Sequence, residues 1–384
     1  MDFTLGEDHR MLRDMVREFA EREMRPVVDS LERRGEFPAR IVARLGDLGI
    51  LGTTIPQEHG GTALDTVGIC LVMEEIARVC ASTAVTVSVH NSAAAAPIAR
   101  FGTAAQKKRY LPRMARGEII GGFALTEAGC GSDAAAVKAR AVRRGDRYIL
   151  NGAKSWITNA RVGGVFVLMA VTDPAAGSRG ISAFLVEPSM AGFSFGKDEE
   201  KMGLRSSVTG MINLVDCEVP AENLLGEEGM GLRIALWTLD GGRVGIAAQA
   251  VGIAQGAFDE ARRYAQTRSA FDRPIAAFQA IRFMLADMAM EIDAARLLTH
   301  RAAGKKDASA GAGDFAREAS MAKLYASEMC NRVAYRAVQI HGGYGYSKEY
   351  AVERIYRDAR VTTIYEGTSE IQRLIIARKL LGSS

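Results

Sequence analysis

The apolar residues of this chain change period twice. Leu12, Met15, Val16 and Phe19 recur at helical spacing, and Leu71, Val72, Ile76 and Val79 continue an apolar helical stripe within residues 1–120. Turn signals, "RRGEFP" at 33–38 and "IPQEHGG" at 55–61, divide that zone into separate helices. From 121 to 228 the pattern turns to short β-type runs. "VKARAVRRGDRYILNG" reads as strand, Gly-Asp turn, strand; "VGGVFVLMAVT", "GISAFLVEP" and "SSVTGMINLVDCEVP" follow, broken by Gly, Pro or Asp. From 229 to 384 helical spacing returns with Phe278, Ile281, Leu285, Met288 and Ile292, then Val333, Ala337 and Ile340. "GKKDASAGAG" (304–313) reads as a flexible loop between two of these helices. With no strand–helix alternation, the order argues against a doubly wound nucleotide-binding architecture. It predicts a mainly α protein with an inserted β-domain, a barrel or sandwich, in three domains: 1–120, 121–228 and 229–384.

A chain of 384 residues can bury cores of that size, and its 48% hydrophobic and 24% charged content is that of a globular protein. Its 49 basic residues are interspersed with 45 acidic ones for a net charge of +4, so no nucleic-acid arm is expected. Five widely spaced cysteines without a C-x-x-C pair argue against a disulfide framework and a zinc site. The stretch "VCASTAVTVSVHNSAAAAPIA" (79–99) lacks charged residues but carries Ser, Thr, His90, Asn91 and Pro97, so it reads as a buried helix and not a membrane span. "MDFTLGEDHRMLRDMVREF" shows no apolar leader, which makes the cytoplasm the expected location.

The usual chemical signatures are missing: no G-x-G-x-x-G, no G-x-x-x-x-G-K-[ST], no H-E-x-x-H and no G-x-S-x-G. The five histidines are scattered, so no metal is expected. Glycine-rich loops beside polar groups remain, and each admits two readings. "GGFALTEAGCGSD" (121–133) is a domain-junction turn or a cradle of backbone N–H groups for a ring or phosphate. Trp156 and Thr158, in "NGAKSWITNA", belong to a core or to the wall of an aromatic cofactor. "QIHGGYGYSKEY" (339–350) is a helix C-cap or a close approach of backbone to a ligand. Asp240 and Arg243, three apart in "TLDGGRVG", form a surface ion pair or a clamp for a polar ligand. Glu366 sits among Val361, Ile364, Tyr365 and Ile371, just before a predicted helix start in which Ser369 and Gln372 make a capping box. It is either a helix-capping acid or a base whose pKa burial has raised.

Taken together, these loops resemble the acyl-CoA dehydrogenase family over essentially the whole chain. "ALTEAGCGSDAAA" matches the first family pattern, "QIHGGYGYSKEYAVERIYRD" the second, and "YEGTSEIQ" lies at the expected place near the C-terminus. The resemblance implies an N-terminal helical domain, a middle β-barrel domain and a C-terminal four-helix bundle, assembled as a homotetramer. It also implies FAD, an acyl-CoA substrate oxidised to the trans-2-enoyl-CoA, and electron transfer to an electron-transferring flavoprotein.

By the same resemblance Glu366 is the base that removes the α-proton while the β-hydrogen leaves as hydride to flavin N5. Phe123, Leu125, Thr126 and Ser132 would run along the flavin, with Trp156, Ile157 and Thr158 flanking it. Arg268, Phe271 and Gln279 would reach the FAD of a neighbouring subunit. Gln339, Ile340, Gly342 and Gly343 would hold its pyrophosphate or adenosine end, and Thr368 and Glu370 would contact it beyond the base. Ser132, Asp240, Arg243, Tyr365 and Gly367 would bind substrate.

Some relatives carry the base on the helix containing 240–243; here Gly241 and Gly242 cannot serve, which leaves Glu366. A glutamate also counts against the nitroalkane-oxidising relatives, which use aspartate. "TLDGGRVGIAAQAVGIAQGAFD" and "CASTAVTVSVHNS" most resemble short-chain, butyryl-CoA-type members. The alanine run in "SAAAAP" (92–97) leaves short branched-chain or medium-chain substrates as the alternative, together with a flavin-binding relative that lacks dehydrogenase activity and a purely structural helical protein.

Overall fold

The computed structural model describes residues 4–309 and 314–382. Seven helices open the chain: α1 (Glu7–Phe19), α2 (Arg25–Arg34), α3 (Ala39–Asp47), α4 (Thr66–Val79), α5 (Ala81–Ser88), α6 (Ala96–Phe101) and α7 (Ala104–Ala115). Wider π-type turns at Ala20–Met24 and Val89–Ala95 join α1 to α2 and α5 to α6. Residues 79–99 are buried almost throughout as helix. Among the described residues no helix is long and apolar enough to cross a membrane.

The middle zone is one eight-stranded sheet of β1 (Ile120–Ala124), β2 (Arg140–Arg144), β3 (Arg147–Thr158), β4 (Gly163–Val171), β5 (Ile181–Val186), β6 (Phe193–Asp198), β7 (Thr209–Pro220) and β8 (Leu224–Leu225). The predicted hairpin forms, with Arg144 paired to Arg147 across the Gly145-Asp146 turn. β4 is buried along nearly its whole length, with the side chains of both its faces in the core. It pairs antiparallel with β5 from Phe166↔Val186 to Val171↔Ile181, and parallel with β1 from Gly121↔Val165 to Ala124↔Leu168. The continuous run "VFVLMA" follows from that burial, since a strand with a solvated face would alternate.

The helical core is organised by α8 (Gly231–Thr267), which packs against α4, against α9 (Gln279–Ala308) and against α10 (Ala316–His341). Glycine permits the closest crossing. A Cβ at Gly252 would lie 2.3 Å from the Glu74 carbonyl, and one at Gly256 2.4 Å from that of Arg78. A short two-stranded arm, β9 (Ser269–Ala270) with β10 (Arg273–Pro274), separates α8 from α9; α11 (Ala351–Ala359) and α12 (Ser369–Leu381) complete the chain.

Two local expectations are corrected. The segment 304–313 does not begin as a loop, because α9 continues through Ala308. Lys305 and Lys306 in its last turn suit the negative end of a helix, and Thr66 at the start of α4 holds Asp307 through N–H (2.9 Å) and hydroxyl (2.5 Å) donors. Residues 310–313 of that segment lie outside the described residues. The cap of α12 is Thr368 and not Ser369: the Thr368 hydroxyl accepts from Ile371 N–H at 3.4 Å, while the Ser369 hydroxyl donates to Glu328 at 2.7 Å. All five cysteines are buried and free.

Candidate active site

Between α11 and α12 the chain reverses at two left-handed residues, Glu366 (φ 54°) and Gly367 (φ 90°). A glutamate there is strained, so the neighbours must impose the conformation. They do so through carbonyls. The Lys323 ammonium, fully buried on α10, donates to the Gly367 carbonyl at 2.7 Å. The Gln372 amide reaches back from α12 to the carbonyls of Gly367 (2.9 Å) and Glu366 (3.1 Å).

The Glu366 side chain projects against α8. A Cβ at Gly242 would lie 2.8 Å from Glu366 Oε2, and this buried oxygen has no hydrogen-bond partner among the described residues. Burial pushes the Glu366 carboxyl up to about 7, against the pull of Arg243 and Lys323. Burial in turn lowers Lys323 to about 8, with Glu366 opposing. Arg243 is buried and donates to Asp240 one turn earlier, while its Nε has no partner. Burial holds Asp240 above the ordinary aspartate range although Arg243 opposes. The pair is therefore not a surface one: Arg243 is buried and Asp240 half-buried. The Tyr365 hydroxyl is likewise buried and unpaired.

A second group gathers at the sheet. Phe123, next to last in β1, is half-buried, Leu125 is buried and Thr126 half-buried. The fully buried Lys154 fastens this loop, its ammonium donating to the Leu125 carbonyl (3.1 Å) and Glu127 Oε1 (2.7 Å), while Ser155 N–H donates to the Thr126 carbonyl (2.9 Å). Burial opposes the Glu127 charge, yet Lys154 and two backbone N–H donors bring its carboxyl below the ordinary range. At the end of β3, Ile157 is buried and Thr158 half-buried, whereas Trp156 is 59% exposed at φ 59°. Core packing does not explain that indole. Ser132 is exposed on the same loop.

A third group is remote from the first. Lys323 and Gln339 share α10 and stand roughly 24 Å apart at the helical rise per residue. Beyond Gln339 and the buried Ile340, Gly342 caps the helix at φ 59°, and a Cβ at Gly342 or Gly343 would meet nothing within 4 Å. Arg268 lies over the Tyr344 ring at 5.7 Å, which brings the arm between α8 and α9 to this corner. Phe271 on that arm is 88% exposed, and Gln279 is exposed at the start of α9. Thr368 and Glu370 belong with Glu366, at the N-terminus of α12.

A cavity of about 50 Å³ opens between α4, α5 and α8, with Ser88, Ser92, Ala96, Thr238, Gly241 and Gly245 in its wall. Gly241 in its wall is the chain neighbour of Gly242, against which the Glu366 carboxylate lies. Of the run 92–96, Ser92 and Ala96 line this space. Sequence reading missed Lys154 and Lys323. The only available signal was a lysine inside an otherwise apolar stretch, "GAKSWI" and "SMAKLY". Among the described residues no cluster of three or more His, Cys, Asp or Glu is disposed to hold a metal.

Three family descriptions match this chain: acyl-CoA dehydrogenase N-terminal domain over residues 6–118, middle domain over 122–217 and C-terminal domain over 229–381. The chain is 49% identical over 379 residues to the short-chain specific acyl-CoA dehydrogenase of Mus musculus, covering 99% of this chain and 91% of the relative. Its structure superposes on butyryl-CoA dehydrogenase from Megasphaera elsdenii with a TM-score of 0.96 at 42% identity, covering 99% of this chain and 100% of the other. An acyl-CoA dehydrogenase of Bacillus anthracis complexed with FAD superposes with a TM-score of 0.92 at 38% identity, over 98% of this chain and 67% of that one. On matches that span all three zones, the chain belongs to the acyl-CoA dehydrogenase family, whose members are FAD-dependent oxidoreductases.

Proposed function

We propose that this protein dehydrogenates a short-chain acyl-CoA to the trans-2-enoyl-CoA, with Glu366 as the base. The observation that carries this reading is the buried Glu366 carboxylate oxygen, left without a partner and held near a pKa of about 7. An α-C–H beside a thioester is a weak acid, so the base must be basic near neutral pH and shielded from water. Burial gives Glu366 both properties. Arg243 and Lys323 oppose its protonation enough to leave a working fraction ionised. The α-proton passes to Glu366 Oε2, and the electron pair it leaves forms the double bond as the β-hydrogen departs with its own pair. Bound FAD supplies the acceptor for that hydride. Arg243, whose Nε is free, and Asp240 bind the polar part of the substrate, with Ser132 and Gly367 also in contact. Tyr365 walls the reacting carbons.

The residues present fit such a cofactor. Trp156 leaves an exposed indole beside Thr158, and the 125–132 loop offers backbone next to two glycines, 129 and 131, where a Cβ would meet nothing within 4 Å. Phe123, Leu125, Thr126, Ile157 and Thr158 would line the ring; Thr368 and Glu370 would lie beyond the base. Arg268, Phe271 and Gln279, with the open corner from Gln339 to Gly343, would serve a second copy, because that corner stands far along α10 from Lys323 and Arg268 lies against it. Phe283, Met290 and Leu297, exposed on α9 at seven-residue spacing, support a homotetramer by giving such a copy an apolar stripe. We further propose an electron-transferring flavoprotein as the oxidant of the reduced enzyme.

Anaerobic mixing with butyryl-CoA tests the reading. Prompt bleaching of the flavin band is expected, and Glu366→Gln should retain FAD yet lose turnover by several orders of magnitude, about what loss of a general base together with misalignment produces. Near wild-type turnover by that variant would remove Glu366 from the role.

A further inference from the structure

Lys306 stands in the last turn of α9, where it faces the cavity beside α8. It is the one charged side chain in that wall among the described residues. The rest is neutral: Ile69 and Met73 from α4, Val244 from α8, hydroxyls such as Ser88, and the Cys70 thiol, which burial pushes up. Burial lowers the lysine itself, and the only groups that counter this are Cys70 and Asp307, acting through space without a hydrogen bond. The Asp307 carboxylate is already engaged by the Thr66 N–H and hydroxyl. Lys306 Nζ therefore faces a largely apolar cavity, and no carboxylate among the described residues is hydrogen-bonded to it.

Two adjacent residues of α8 locate it relative to the reacting centre. A Cβ at Gly242 would lie 2.8 Å from Glu366 Oε2, and one at Gly241 would lie 3.7 Å from Lys306 Nζ. A tail that starts beside Glu366 and runs along Thr238, Gly241 and Gly245 thus meets the lysine after only a short run.

We propose that Lys306 sets the acyl-chain length limit by closing the tail cavity with a charge that apolar atoms cannot approach without penalty. The inference rests on the acyl-CoA reading above. A short tail stops before the ammonium and leaves it the hydration that a half-buried lysine keeps. A longer one would press methylenes against it and strip that hydration with no partner to replace it. The Lys306 ammonium is a flexible point charge and not a bidentate fork, so the wall excludes length more than it recruits an anionic tail.

The test compares flavin reduction by butyryl-, hexanoyl-, octanoyl- and glutaryl-CoA in the FAD-loaded wild type, Lys306→Met and Lys306→Arg. In the wild type, kcat/KM should fall from butyryl- to octanoyl-CoA. The methionine variant, which keeps volume and removes charge, should raise the octanoyl-to-butyryl ratio about tenfold or more, the scale of a few apolar contacts. The longer arginine should make the fall steeper. Flavin content and melting temperature show whether each variant folds, and the arginine variant alone decides the matter if the methionine one does not. Ratios unchanged by either substitution would overturn the proposal. So would a wild-type preference for glutaryl-CoA that Lys306→Met abolishes, since the lysine would then be an anchor. Failure of every acyl-CoA to reduce the wild-type flavin would instead overturn the activity reading, and this inference with it.

Discussion

Glu366 shows how the surroundings of one side chain set its pKa. Its left-handed backbone aims the carboxylate at α8, where the absence of a side chain on Gly242 leaves room for it. Gly242→Ala would place a methyl group 2.8 Å from Oε2, closer than carbon and oxygen tolerate, so the carboxylate must shift. Relieving that contact takes a few tenths of an ångström, so the cost should stay below the roughly 100-fold of a 1 Å misplacement. The expected outcome is a fall in kcat of up to about tenfold with full FAD content, measured by steady-state dye reduction. An unchanged kcat would show that the carboxylate has slack. Gly242 could be read from the sequence as a residue unable to act as base; its role as the wall behind Glu366 could not.

At the scale of elements, α10 and α12 grip the turn that carries Glu366 from both sides. Lys323 on α10 supplies a hydrogen bond to Gly367 and a positive charge that draws the Glu366 pKa down. Lys323→Met removes both. On the proposed role Glu366 must be ionised to accept a proton, so activity should appear as pH rises through its pKa of about 7. Without the ammonium that pKa goes higher, and the acidic limb of kcat/KM should move to higher pH. A loss of equal size at every pH would mean that Lys323 only supports the loop. The capping signal just after Glu366 was legible as a helix start. Its assignment to Thr368 depended on Glu328 of α10 engaging the Ser369 hydroxyl, a contact between segments 41 residues apart.

Across the whole molecule, the three zones are tied at one buried junction. Glu32 of α2 accepts from Arg205 N–H (2.9 Å) and the Ser206 hydroxyl (2.6 Å), while Asp358 of α11 accepts from Leu204 N–H (2.7 Å). Residues 204–206 lead into β7, so one short segment fastens the sheet to helices from both ends of the chain. Burial and the nearby Glu32 push Asp358 up to about 7, against the pull of Arg354. Glu32→Ala leaves buried donors without an acceptor and should cost about 3 kcal/mol. Urea unfolding followed by flavin release would show it as a lower midpoint; an unaltered midpoint would mean that the zones hold together without this junction.

The order of helical and β periods was settled by the sequence alone, because hydrophobic spacing follows the local geometry of each element. So was the candidate set of residues, whose types and order match a family pattern along the chain. Tertiary structure decided what those residues experience. Desolvation of Glu366, the ammonium groups of Lys323 and Lys306, and the exposure of Trp156 all arise where α8, α9, α10 and the end of β3 bring distant segments together or leave a face bare. Charge and burial depend on neighbours in space, and no linear spacing records them.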